Sequence, residues 1–255
     1  MTDRTYRLTA AGRKAWENQD AAVPADYRRI LWMMDMQGQA GVAQALAHLY
    51  PGDMFLEWLG EMEEIGLIEP IPDGEETKSG FAPGSPDKTL AFEQAKLVEA
   101  AKDAGASLAR SGAFVAMDRL RNRPLPVKAA ASTTIMIVED DPDQMALADL
   151  RVTMAGYQVR SANCVSAYLQ ALLTEGTPDL LLLDVELPDG NGFEVLQKMR
   201  RHPEFAGLPI IMLTSRNDAG DIGRGLIFGA DGYVTKPYTR NILADVIRRV
   251  LRRGE

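Results

Sequence analysis

From residue 133 onward, short apolar runs alternate with longer stretches of mixed polarity. The runs are Thr134-Ile-Met-Ile-Val138, Leu180-Leu-Leu-Leu183, Ile210-Ile-Met-Leu213 and Tyr233-Val-Thr235. Near-continuous apolar character over so few residues fits strands buried on both faces, as in a parallel sheet covered by helices. The intervening stretches predict helices at about 142–155, 164–174, 191–201, 218–228 and 238–252. Strand and helix alternate five times, which predicts a doubly wound α/β domain over 133–255 with five parallel strands.

The first half has a different rhythm. A short strand-like start at Thr5 to Thr9 leads into a helix from Ala10 to Asn18, and Pro24-Ala-Asp26 opens a second helix carrying Ile30, Leu31, Met33 and Met34. Further helical patterns follow Gly41 and Pro51-Gly52-Asp53, the last carrying Phe55, Leu56, Leu59, Met62 and Ile65 before Gly66-Leu67-Ile-Glu-Pro70. This predicts a small, mainly helical domain over 1–72. Gly, Pro, Ser and charge then crowd 73–88, a flexible joint, and 89–120 reads as a connecting helical segment in which Gly105 and Gly112 are the weak points. Arg121-Asn-Arg-Pro-Leu-Pro-Val-Lys128 lies within a stiff, basic linker over 121–132.

Composition narrows the function classes. No apolar run approaches the roughly 20 residues of a membrane-spanning helix, and the polar start lacks the apolar centre of a secretion signal, so a cytoplasmic location is expected. One cysteine, Cys164, and two histidines, His48 and His202, leave no internal disulfide and no zinc site of the usual ligand count. The net charge of −8 is spread over both halves, which does not favour a polyanion binder on bulk charge.

The ends of the apolar runs carry the chemistry. Glu139, Asp140, Asp184, Thr214 and Lys236 each lie at or just past such an end, where open parallel sheets hold their ligands. Carboxylates drawn together stay ionised only with a cation among them, and an all-oxygen donor set suits Mg2+. Thr214 and Lys236 add a hydroxyl and a positive charge for phosphoryl oxygens. No G-x-x-x-x-G-K-[ST] loop is present, so the pattern favours a carboxylate nucleophile attacking phosphorus carried by another molecule. Asp184 is the best placed, ending the most apolar run before Leu187-Pro-Asp-Gly190. Asp141-Pro142 has the form of a helix N-cap.

Four segments, Ile135-Met-Ile-Val-Glu-Asp-Asp141, Asp179-Leu-Leu-Leu-Leu-Asp-Val-Glu-Leu-Pro-Asp-Gly190, Pro209-Ile-Ile-Met-Leu-Thr-Ser215 and Gly229-Ala-Asp-Gly-Tyr-Val-Thr-Lys-Pro237, resemble a response-regulator receiver domain of the CheY-like superfamily. The resemblance covers 133–252 and implies a flavodoxin-like fold for the five parallel strands. It implies Asp184 as phospho-acceptor, with Mg2+ held by Glu139, Asp140, Asp184 and the backbone carbonyl of Glu186. It further implies Thr214 as switch hydroxyl, Tyr233 as switch aromatic, Lys236 as phosphate-binding ammonium and a cis bond at Lys236-Pro237. The implied partner is a histidine kinase or phosphotransfer protein, and the chain is expected to support only its own phosphoryl transfer and autodephosphorylation. Glu186 and Arg216 flank the route of water to the aspartyl phosphate; they either pair and slow dephosphorylation or act as independent surface charges.

Switching has an expected route. Charge added at Asp184 draws Thr214, Tyr233 fills the space behind it, and the face of the last strand and last helix repacks. Arg248, Arg249, Arg252 and Arg253 on that helix offer a surface for an acidic partner or a second copy. The amino-terminal half resembles a winged-helix module, but no Lys or Arg lies between Arg29 and Lys78 while ten acids do. The helix after Pro51-Gly52-Asp53 offers Glu57, Glu61, Glu63 and Glu64 where phosphate contacts would be made. Two outputs follow: a protein-interaction or dimerisation module, dimerising along 89–120, or a DNA-binding regulator using the wing or the basic residues Arg119, Arg121, Arg123 and Lys128. Met33, Met34, Met36, Met54, Met62, Trp32 and Trp58 supply either core or a docking surface.

Overall fold

The computed structural model describes residues 6–37, 52–71, 106–108, 110–117, 120, 128–215, 225–226, 228–238 and 241–251, with backbone only at 52–55. The chain divides into two compact units, Met1–Pro83 and Gly84–Glu255. The expected helix after Gly41, the joint at 73–88, the linker residues 121–127 and most of the helix expected at 218–228 lie outside the described residues.

The first unit contains β1 (Tyr6–Leu8), α1 (Ala10–Glu17), α2 (Ala25–Gln37), α3 (Gly52–Glu64) and β2 (Ile68–Pro70). β1 and β2 pair antiparallel, Leu8 opposite Ile68 and Tyr6 opposite Pro70. Thr9 starts α1 as an N-cap, accepting from Gly12 N at 3.0 Å, and its hydroxyl donates to Gly66 O at 2.7 Å. A Cβ at Gly12 would lie 2.1 Å from Leu67 O, so only glycine lets α1 pass so close to the chain entering β2. Trp16, Ile30, Leu31, Trp32, Met33 and Met62 are almost fully buried. Met34 and Met36 are buried too, so these methionines form core rather than a docking surface.

The second unit is built on one six-stranded sheet of order β3-β10-β9-β6-β4-β5. Its strands are β3 (Ala113–Val115), β4 (Thr134–Val138), β5 (Gln158–Ala162), β6 (Leu180–Asp184), β9 (Ile210–Thr214) and β10 (Gly232–Thr235), while β7 (Glu186–Leu187) and β8 (Gly190–Asn191) form a small hairpin. Four helices are described in full: α4 (Pro142–Met154), α5 (Val165–Glu175), α6 (Gly192–Arg201) and α7 (Ile242–Val250). The five strands from β4 to β10 in this sheet run parallel, as the alternation predicts. Every residue of β6 and β9 is buried, which is why their sequences are apolar up to their last residues, Asp184 and Thr214. β5 lies at the edge with four of its five residues half-buried or exposed in an alternating polar sequence, so it produces no apolar run. Strand order reverses beside β4, whose neighbours are β5 and β6. That reversal opens the crevice in which doubly wound sheets bind ligands.

One segment departs from the expected helix over 89–120. Residues 106–108 and 110–111 are helical, but Gly112 takes φ +70° and Ala113–Val115 becomes a strand antiparallel to β10. The left-handed glycine ends the helix, and the open main-chain groups of β10 supply the competing hydrogen bonds.

Candidate functional site

Glu139 and Asp140 follow β4 directly, and Asp184 is the last residue of β6. Because β4 and β6 are hydrogen-bonded neighbours, the three carboxylates converge, each offering an oxygen within 4.8 Å of the others. Glu139 is 1% exposed and Asp184 6% exposed, whereas Asp140 is open to solvent. Asp141 takes the other role expected of it: its carboxylate caps α4, accepting from Asp143 N at 2.9 Å and Gln144 N at 3.0 Å.

Lys236 enters from the end of β10, its peptide bond to Pro237 being cis. Its ammonium lies 2.5 Å from Glu139 Oε2 and 2.9 Å from Asp184 Oδ2. Asp184 Oδ1 accepts from Val185 N at 2.7 Å, so both oxygens of that carboxylate are oriented. Burial pushes the Glu139 carboxyl up to about 7; the Lys236 hydrogen bond opposes this and the Asp184 charge adds to it. Among the described residues one ammonium faces three carboxylates and does not balance them, and the donors are all oxygens. These residues therefore fit a hard divalent cation.

A cleft of about 710 Å³ opens over the cluster, lined in part by Glu139, Asp140, Asp184, Glu186, Ser215 and Lys236. Thr214 is buried at the end of β9, opposite Thr235, and its carbonyl accepts from Lys236 N at 2.8 Å; Ser215 rather than Thr214 lines the cleft. Glu186 is exposed at the rim on β7, and Arg216 lies outside the described residues. Gly192 sets the depth of the floor. A Cβ there would fall 2.0 Å from Asp184 O, so a larger residue would drive α6 away from the acceptor strand.

Tyr233 is 1% exposed, pointing into the protein. A Cβ at Gly225 would sit 1.3 Å from its hydroxyl oxygen and 2.9 Å from Phe193 Cε1, so the bare glycine forms the seat of this ring. Two further residues belong to the site's frame. Asp189 accepts from Val165 N at 2.7 Å and Ser166 N at 2.8 Å, tying the loop after β6 to the start of α5. Burial raises its pKa, yet the Ser166 and Val165 hydrogen bonds prevail and hold it below the usual carboxylate range. Tyr238 is buried with its pKa raised by that burial and by the charges of Glu139, Asp184 and Asp141. The Pro188-Asp189-Gly190 turn was visible in the sequence; nothing in the spacing singled out Tyr238.

Residues 135–248 match the response regulator receiver domain family. The chain is 44% identical over 122 residues to the transcriptional regulatory protein AfsQ1 of Streptomyces coelicolor, covering 48% of this chain and 52% of that one. It is 39% identical over 121 residues to the DNA-binding dual master transcriptional regulator RpaA of Synechocystis, covering 48% and 50%. The chain thus spans about half the length of the curated relatives it matches. Among solved structures, the CheY-like receiver domain protein from Methanospirillum hungatei is 29% identical with a TM-score of 0.43, over 48% of this chain and 94% of that one.

Proposed function

Since residues 135–248 belong to the response regulator receiver family, we propose that the chain is a two-component response regulator that accepts a phosphoryl group on Asp184. The observation that carries this reading is the convergence of Glu139, Asp140 and Asp184 beside the ammonium of Lys236. Asp184 attacks the phosphorus of a histidine kinase, a phosphotransfer protein or a small acyl phosphate, forming an O–P bond as the donor's bond to phosphorus breaks. Glu139, Asp140, Asp184 and the Glu186 carbonyl are the residues that would hold Mg2+, which when bound neutralises charge on the transferring group. Lys236 moves from its carboxylate partners to a phosphoryl oxygen, Thr214 donates to another, and Tyr233 packs behind. Glu186 and Arg216 tune the return of the group to water. The chain catalyses nothing beyond its own phosphorylation and dephosphorylation.

The amino-terminal unit is proposed as the output, a winged-helix-like module for binding protein or a second copy. Its third helix supports this: Glu57, Glu61 and Glu64 are exposed on α3, a surface that repels phosphates. A second reading, a DNA-binding regulator, is favoured by the relatives, whose names are those of transcriptional regulators. Incubation with acetyl phosphate and Mg2+ tests the receiver reading: the mass rises by one phosphoryl group, and a chain that gains none overturns it.

A further inference from the structure

Gln144 is the third residue of α4, the helix that Asp141 caps. An acidic cap followed three residues later by glutamine has the form of a capping box, in which the glutamine side chain reaches back to the main-chain N–H of the cap. Only half of that box is closed here. Asp141 Oδ1 accepts from Gln144 N at 3.0 Å, but Gln144 Oε1 is buried with no hydrogen-bond partner among the described residues. The N–H of the cap serves another group: burial raises the Glu139 pKa, and the main-chain N–H of Asp141 is among the groups that lower it. Released from capping, Gln144 lines the cleft together with Glu139, Asp140, Asp184 and Lys236.

A buried acceptor without a donor is costly, so the donor it lacks indicates what the cleft receives. Ionised carboxylates only accept, and the Lys236 ammonium already reaches Glu139 and Asp184. The buried Tyr238 hydroxyl makes no hydrogen bond, so it does not serve Gln144. A phosphoryl group brings acceptor oxygens and no donor. A hard divalent cation of the Mg2+ kind does bring donors, because it keeps several of its waters and their protons point outward.

We propose that Gln144 belongs to the cation site as an outer acceptor: its amide oxygen takes a hydrogen bond from a water carried by the ion, while Glu139, Asp140 and Asp184 hold the ion itself. The inference rests on the receiver reading above. The last torsion of a glutamine is soft, so the amide turns to meet such a water at little cost. Being neutral, it adds an acceptor without adding negative charge to carboxylates that already repel one another. Gln144 is thus a positioning residue, acting on the ion through its water and linking ion binding to the first turn of α4.

Calorimetric titration of the full chain with Mg2+ alone tests this without any phosphoryl chemistry. Gln144→Met keeps the length of the side chain and removes the acceptor, and it should weaken Mg2+ binding at least about tenfold, the lower end for groups that orient a metal's ligands. Unchanged affinity overturns the proposal. In chelator the same variant should unfold at an equal or higher denaturant midpoint, because a buried orphan has been removed. A lower midpoint shows that Oε1 is bonded inside the protein and also overturns it. Gln144→Glu keeps an acceptor and should bind Mg2+ at least as tightly as wild type; binding as weak as in Gln144→Met rules out the acceptor as the cause. A wild-type chain that takes up no Mg2+ refutes the receiver reading itself, while equal binding by wild type and Gln144→Met refutes only the role of Gln144.

Discussion

Lys236 Nζ stands 2.9 Å from Asp184 Oδ2 while reaching 2.5 Å to Glu139 Oε2, a buried cation shared by two carboxylates from different strands. Removing it leaves two buried carboxyl groups without their cationic partner. Lys236→Ala should therefore lower stability in metal-free buffer by about 3–5 kcal/mol, the range for breaking a buried pair. Magnesium should restore part of that loss and bind more tightly than to wild type, because the competing ammonium is gone. Denaturant titration with and without Mg2+ checks both, and phosphorylation by acetyl phosphate should be lost.

Glu139 gives a pH dependence. Its carboxyl titrates near 7 in the folded, metal-free chain, against an ordinary value of 4.5. A raised acid binds its proton more tightly when folded, so its contribution to stability is full below about 4.5, falls as pH rises and is gone above about 7. Wild type minus Glu139→Gln, measured by denaturant midpoints across this range in chelator, should show that slope. Equal pH profiles for the two proteins would contradict it.

Gly192 and Gly12 are places where a methyl group meets backbone, at 2.0 Å from Asp184 O and 2.1 Å from Leu67 O. Alanine at either should cost about 1–3 kcal/mol by forced displacement. Only Gly192→Ala should also slow phosphorylation, because only it moves the acceptor strand. Paired melting and acetyl phosphate assays separate the two effects.

The output readings differ in salt dependence. If α3 with its glutamates faces a protein partner, a gel shift with random DNA should show no binding that weakens steeply with salt. Steep salt-dependent binding would favour the DNA-binding reading.

The strands that form the site were legible because burial on both faces demands apolar runs, as β6 and β9 show. Site residues stood out for a related reason: Asp184 and Thr214 are polar residues closing such runs. β5 was silent because an edge strand tolerates Gln158, Arg160 and Ser161. β3 misled, since Ala113-Phe-Val115 follows a helical pattern and its pairing depends on the distant edge of β10, which local periodicity does not encode. The seat of Tyr233 was equally hidden, because Gly225 gains meaning only when the ring is placed against it.

The central claim is that Asp184 is the acceptor, and peptide mass mapping after acetyl phosphate treatment tests it most directly. The wild-type chain should carry one phosphoryl group on the peptide containing Asp184, and Asp184→Asn should carry none. A phosphoryl group that persists in Asp184→Asn, or that maps to another peptide in wild type, would contradict it.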